Sequence, residues 1–246
     1  MERLHISFYK WKKEYKIFFN SCKKYLNLYD PQFYFPIMSL YLYFHNTKYS
    51  HKSIDLNRRY FIKEVLENKY LKYYNSNSIV KANIFDSKLN TYFTENLFCK
   101  CIPILDPMYF IMNNYNNKIK RNPLLPSNYN FNTYDKINDM NNTAYIDTFF
   151  GFLCSYLTLS DINPSFSIYY GSVNGIIKNY NFDITDEYEG IKHDKWFNKN
   201  LGNIFTIDMY IDSDSDNEEN SSSSKSSKSS KSSKSSKSSK SSKSSK

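Results

Sequence analysis

Residues 79–104 read IVKANIFDSKLNTYFTENLFCKCIPI, and this stretch decides the fold class. β-branched and aromatic residues are frequent at 79–84 and again at 92–104, and the turn-forming residues 86–90 separate the two runs. Two such runs joined by a short polar turn are typical of a β-hairpin. Alternation along the second strand places Cys99 and Cys101 on one face and Lys100 on the other. We therefore expect an antiparallel hairpin in this part of the chain.

The N-terminal segment, residues 1–30, has helical periodicity. Apolar residues recur at alternating steps of four and three in residues 2–29, which predicts an amphipathic helix with lysines around its outer face. The apolar stripe consists of Leu4, Phe8, Trp11, Tyr15, Phe18, Cys22 and Tyr25. A basic amphipathic helix also fits a membrane surface or a groove in a partner. We favour a helix that is docked on the protein core.

The remaining elements predict a mixed α+β domain over residues 31–211, with a small antiparallel sheet and packed helices. Further helices are predicted at 56–73, 107–114 and 143–158. The last of these is capped by Asn141 or Asn142. Its predicted apolar face consists of Ile146, Phe149, Phe150, Leu153 and Leu157. Additional strands are predicted at 166–170, 175–184 and 203–210, and a long polar loop at 113–139.

The C-terminal residues 212–246 have low complexity. Residues 212–219 are mostly acidic, and the 26 residues 221–246 contain only Ser and Lys. Eight of the 33 Lys and Arg residues lie in this Ser/Lys segment, so the formal charge without it falls from +9 to +1. A nearly neutral body excludes a domain that coats nucleic acid through overall basic charge. Neither part of the tail has apolar residues to bury, so we expect it to be disordered.

The tail carries two kinds of candidate site. Lysine at every third position binds polyanions, including nucleic acid and acidic protein surfaces. The first lysines of this repeat are Lys225, Lys228, Lys231 and Lys234. Ser213 and Ser215 each precede an acidic residue by three positions, which predicts phosphorylation by an acid-directed kinase.

The four cysteines are too few for a disulfide scaffold in a chain of 246 residues. Cys99 and Cys101 are closer together than the usual zinc-ligand pair, and no second pair follows at metal-ligand spacing. The longest uncharged run, residues 31–47, is short, contains Pro36 and includes several polar residues, so it does not predict a membrane span. We expect an intracellular, reduced protein with no metal site and no transmembrane segment.

Several short motifs follow one another in a recognisable order: FCKCIPILDP (98–107), NTAYIDTFF (142–150), NPSF (163–166), YYGS (169–172), DEYE (186–189) and WFNKN (196–200). In this order they resemble a serine/threonine-protein-kinase-like family of large nucleocytoplasmic DNA viruses, of the giant-virus type. FCKCIPILDP is similar to the family's Lys-x-x-Pro-Leu-Leu-Asp-Pro segment. The resemblance covers residues 34–210 and corresponds to the N-terminal lobe only, so it implies a divergent kinase N-lobe.

The resemblance also implies a nucleotide site. A kinase N-lobe needs a strand lysine that contacts the α- and β-phosphates and pairs with an acidic residue of the following helix. By position, Lys100 takes the first role and Asp147 the second, since Asp147 is the only acidic residue of the predicted helix 143–158. Asp is one methylene shorter than the usual Glu. ATP is the one cofactor that the resemblance implies.

The groups that transfer phosphate are missing from the sequence. No Gly-x-Gly-x-x-Gly, His-Arg-Asp or Asp-Phe-Gly motif occurs in the 246 residues, and these motifs supply the phosphate clamp, the base and the Mg²⁺ ligands. We expect a pseudokinase-type protein that is non-catalytic alone and acts by binding, in the host cytoplasm or the virion. Two alternatives stay open: a scaffold that binds polyanions through its Ser/Lys tail, or half of a split kinase. The implied protein partner is a separate kinase C-lobe or a virion component.

Overall fold

The computed structural model describes residues 6–41, 51–69, 77–115, 125–127 and 133–208. The chain divides into two compact units, Met1–Thr206 and Ile207–Lys246, and only residues 207 and 208 of the second unit are described. The predictions for the tail therefore lie outside the described residues. They are its disorder, the phosphorylation of Ser213 and Ser215, and the polyanion contacts of Lys225, Lys228, Lys231 and Lys234.

The described part of the first unit is mixed α+β, as predicted. Its strands are β1 (Phe8–Lys10), β2 (Leu28–Gln32), β3 (Ile54–Leu56), β4 (Tyr60–Asn68), β5 (Ser78–Asp86), β6 (Thr91–Cys99) and β7 (Asn174–Ile177). Its helices are α1 (Tyr15–Leu26), α2 (Pro107–Ile111), α3 (Asp135–Asn138), α4 (Thr143–Leu159), α5 (Tyr188–Ile191) and α6 (Lys195–Asn200), with 3₁₀ turns at Pro36–Leu40 and His51–Ser53. The strands form antiparallel sheets in the orders β1-β3, β2-β7 and β4-β5-β6.

The predicted hairpin is β5–β6. Val80, Ala82 and Ile84 alternate into the core, and the two strands pair without a register shift from Ser78–Cys99 to Asp86–Thr91. The Asp86 carboxylate stabilises the turn, because it accepts the N–H groups of Lys88 (2.9 Å) and Leu89 (3.2 Å). β6 ends at Cys99, earlier than the predicted residue 104, so Lys100 and Cys101 lie just beyond the strand.

The predicted helix over residues 2–29 is shorter in the structure. β1 precedes it, and α1 begins only at Tyr15. The helical part of the predicted stripe is correct, since Phe18 and Cys22 are buried in the core against the β4-β5-β6 sheet. The Ser21 hydroxyl joins α1 to this sheet, because it donates to the Phe18 carbonyl and accepts the Val65 N–H at 2.9 Å.

The predicted helix at 56–73 is wrong in the described residues, where 60–68 form β4. Phe61 and Val65 are both buried, and a spacing of four residues fits one face of a helix as well as alternate positions of a strand. The register shifts at Lys63 and Leu66 are β-bulges, which break the simple alternation that marks a strand in a sequence. Because of this irregularity, the sequence pattern of the segment predicts a helix.

The prediction for α4 is correct in its bounds to within one residue and only partly correct in its face, since Phe149 and Leu153 of the predicted face pack in the core. Asn142 is the N-cap, as one of the two predicted alternatives. Tyr145, Phe149 and Phe152 are buried in a second core with residues of the Pro36–Leu40 turn and β3. Ile146 and Phe150, which were predicted to face the core, are exposed. The helix is apolar around most of its circumference, so periodicity could not identify the buried side.

Most of the predicted C-terminal strands are absent from the described residues. Of the segments 166–170, 175–184 and 203–208, only residues 175–177 belong to a strand, as part of β7, which pairs with β2. Residues 209 and 210 of the third segment lie outside the described residues. Short helices α5 and α6 occupy part of this region, and Asp194 caps α6 by accepting the N–H groups of Trp196 and Phe197.

Candidate functional site

Lys100 and Asp147 form an ion pair. The Lys100 Nζ atom lies 2.9 Å from Asp147 Oδ1, although the residues are 47 positions apart in the sequence. The Lys100 side chain is 52% exposed and that of Asp147 49% exposed. An ion pair in this setting is worth about 0.2–1 kcal/mol, so the ammonium can exchange its carboxylate for another anion at little cost.

The end of the β5–β6 hairpin holds Lys100. Cys99 is the last residue of β6 and pairs with Ser78 of β5. The Cys101 N–H then donates to the Asn77 side-chain oxygen at 3.2 Å, so the chain is fixed on both sides of Lys100. Burial raises the pKa of Cys99 to about 11, which keeps its thiol protonated at neutral pH.

Asn142 holds α4, and therefore Asp147, against the segment that follows Lys100. The Asn142 side-chain oxygen accepts the Ala144 N–H at 3.1 Å, as an N-cap does. Its amide donates to the carbonyls of Ile104 (2.9 Å) and Lys136 (2.8 Å). Since Asn142 is almost fully buried, these three bonds fix the start of α4 relative to residue 104.

The FCKCIPILDP segment continues from Lys100 into a capped helix. Asp106 is the N-cap of α2 and accepts the Tyr109 N–H at 3.1 Å, with Pro107 at the first helical position. The Asp106 N–H donates to the Tyr115 hydroxyl at 2.9 Å. The FCKCIPILDP and NTAYIDTFF motifs, which the resemblance assigns to one nucleotide site, therefore contact each other through Lys100 and Asp147. The helix in each motif is stabilised by its own N-cap residue.

The YYGS motif lies against a buried ion pair that sequence reasoning missed. The Arg58 Nη1 atom lies 2.6 Å from Asp55 Oδ2, and both side chains are buried. The Arg58 Nε–H donates to the Tyr170 carbonyl at 2.9 Å, and the guanidinium lies over the Tyr169 ring. Burial raises the pKa of the Asp55 carboxyl, and Arg58 counteracts part of this effect. The spacing Asp-x-x-Arg was visible in the sequence, but only the tertiary contact with residues 169–171 gives it a role.

The described residues give few other candidates. All four cysteines are free thiols. In the part of the chain that the structure describes, no group of three or more His, Cys, Asp or Glu residues is placed to hold a metal ion. Among the same residues, no helix has the length and apolar character needed to cross a membrane. No protein-family model, curated protein or solved structure matches the chain.

Proposed function

We propose that this chain is a kinase-like protein that binds nucleotide phosphate at Lys100 and does not transfer it by itself. The observation that carries the proposal is the 2.9 Å contact between Lys100 and Asp147. This contact joins the end of a β-strand to the following long helix, which is the pairing a kinase N-lobe requires. The half-exposed ammonium is accessible to a phosphate from the solvent side.

The second half of the proposal rests on the missing catalytic groups. Phosphoryl transfer requires a residue that orients the attacking hydroxyl, ligands for Mg²⁺ and a loop over the phosphates. The three sequence motifs that supply them do not occur in the 246 residues. A site with one cation positions a phosphate without activating it.

A nucleotide titration tests the binding half. We expect the full chain to bind ATP weakly, because an exposed site buries only part of a ligand. Lys100→Met should weaken binding by up to about fivefold, since an ion pair at an exposed lysine contributes about 0.2–1 kcal/mol. Lys81→Met, which removes an exposed lysine from β5, is the matched control and should leave the affinity unchanged. Equal affinities of the wild type and Lys100→Met would exclude Lys100 as the phosphate ligand.

A split kinase differs from this proposal in one measurable respect. If a separate C-lobe completes the site, phosphate transfer appears only when both chains are mixed, and Lys100→Met abolishes it. If the chain acts by binding alone, mixing produces no transfer.

The tail supports a second candidate function. Its eight lysines in 26 residues form a regular repeat, and such a repeat binds polyanions through counterion release. This function would use residues 221–246 and leave Lys100 and Asp147 without a role. The two candidates are therefore separable by deleting the tail.

A further inference from the structure

β6 is an open edge of the three-stranded sheet. It pairs with β5 on one side and has no strand on the other in the described part of the chain. Its outer face also carries two large exposed aromatic residues, Tyr92 at 63% and Phe98 at 69%. A long edge strand with exposed apolar side chains is a template for pairing with another strand.

The hydrogen-bond pattern shows which groups of β6 are available. The Ile79 carbonyl accepts the Lys69 N–H at 3.3 Å, so Ile79 directs its backbone groups toward β4 and does not exchange hydrogen bonds with Phe98, its partner in β6. By alternation, Phe98, Asn96, Thr94 and Tyr92 direct their backbone groups away from β5. The hydrogen bond of the Asn96 N–H agrees with this assignment, because this N–H donates to the carboxylate of its neighbour Glu95 at 2.9 Å and not to a carbonyl of β5.

The sequence of β6 is nearly symmetric about Glu95. An aromatic residue lies three positions away on each side, at Tyr92 and Phe98, and a polar residue lies directly on each side, at Thr94 and Asn96. An antiparallel pair of identical strands with its two-fold axis at Glu95 places these residues opposite one another. A two-fold interface requires this kind of self-complementarity.

We propose that β6 pairs with β6 of a second copy of this chain, with Glu95 on the two-fold axis. Tyr92 then faces Phe98 of the second copy, and Thr94 faces Asn96, in hydrogen-bonded pairs that give about eight backbone hydrogen bonds. The two Glu95 carboxylates oppose each other directly, which weakens the pairing. Glu95 also competes for the Asn96 N–H that the partner strand needs. Glu95 therefore limits self-association, and the near-symmetry of the residues on either side of it favours a second copy as the occupant.

Sedimentation velocity of the full chain tests the interface. We expect the wild type to dimerise with concentration, and Glu95→Gln to lower the dissociation constant about threefold, as removal of one opposed like-charge pair predicts. Glu67→Gln, which removes an exposed carboxylate from β4, should leave the dissociation constant unchanged. Thr94→Pro should abolish the dimer, because it removes an outward N–H that β5 does not use.

Phe98→Lys provides a second disrupting variant, at a side chain that contributes little to the core, and thermal unfolding confirms that each variant folds. Glu95→Cys reports the register, because directly opposed residues of this kind lie close enough for a disulfide between the two introduced thiols. Mass spectrometry should identify that crosslink after oxidation. Monomeric wild type and Glu95→Gln, or a dimer that Thr94→Pro and Phe98→Lys both leave intact, would overturn the proposal. Binding of a strand from another protein would then be the remaining use of this edge.

Discussion

Gly171 is a position where one added methyl group has a large predicted effect. Its φ of +138° is a conformation that residues with a side chain rarely adopt. A Cβ atom there would overlap Arg58 Nη2 and lie 3.0 Å from Cζ. The guanidinium cannot move aside freely, because Nη1 binds Asp55 Oδ2 at 2.6 Å and the Leu56 carbonyl at 2.9 Å.

We expect Gly171→Ala to reduce the free energy of unfolding by about 3–5 kcal/mol. If the added methyl group displaces Arg58 from Asp55, the loss of one partner from this buried ion pair costs about 3–5 kcal/mol. In molecules that keep the ion pair, the strained backbone at residue 171 costs about 1–3 kcal/mol. Urea unfolding followed by tryptophan fluorescence measures the change, since Trp11 is buried in the folded protein.

Gly190→Ala is the matched control for this measurement. Gly190 lies in α5, and a Cβ atom there would meet no atom within 4 Å. This substitution should be neutral or stabilise the protein by about 0.5–1 kcal/mol. If Gly171→Ala and Gly190→Ala differ by less than 1 kcal/mol in unfolding free energy, the close approach of Arg58 to residue 171 is refuted.

Three further predictions concern stability and the tail. The hydrogen bonds from Arg59 hold the pKa of Asp86 below its usual range, so the ionised carboxylate stabilises the fold above about pH 4, and this stabilisation is lost as the pH falls through the lower pKa of the folded state. Asp86→Asn should therefore lower the melting temperature at pH 7, and the difference in melting temperature from wild type should shrink in acid. Asn142→Ala removes the N-cap of α4 and leaves the carbonyls of Ile104 and Lys136 without their donor, so it should lower the free energy of unfolding, measured by thermal unfolding, by about 2–4 kcal/mol. Equal stability of variant and wild type would show that α4 is held by its apolar face alone. Deletion of residues 221–246 lowers the formal charge from +9 to +1, so retention on heparin should collapse and its salt dependence should flatten; unchanged retention would place the polyanion site in the body.

Local signals predicted the hairpin and the bounds of α4. The turn Ser87–Asn90 follows an Asp that accepts backbone N–H groups, and Asn142 caps its own helix, so both features depend on neighbouring residues only. β4 could not be predicted in this way. Its two bulges are stabilised by contacts with α1, such as the Ser21 hydroxyl on the Val65 N–H, and a sequence pattern does not contain these contacts.

The candidate site was predicted by a different route. The pairing of Lys100 with Asp147 came from the resemblance to kinase-like proteins, because no periodicity relates two residues 47 positions apart. The Asp55–Arg58 pair was missed, since its importance depends on burial under residues 169–171. The role of Lys100 in nucleotide binding stays a prediction.

Incubation of the purified chain with radiolabelled ATP and Mg²⁺ tests the central claim most directly. The proposal predicts no transfer of phosphate to the chain or to a generic protein substrate by wild type or Lys100→Met, because the chain has no motif for a base, for Mg²⁺ ligands or for a phosphate-covering loop. Transfer by the isolated wild type that Lys100→Met abolishes would contradict it.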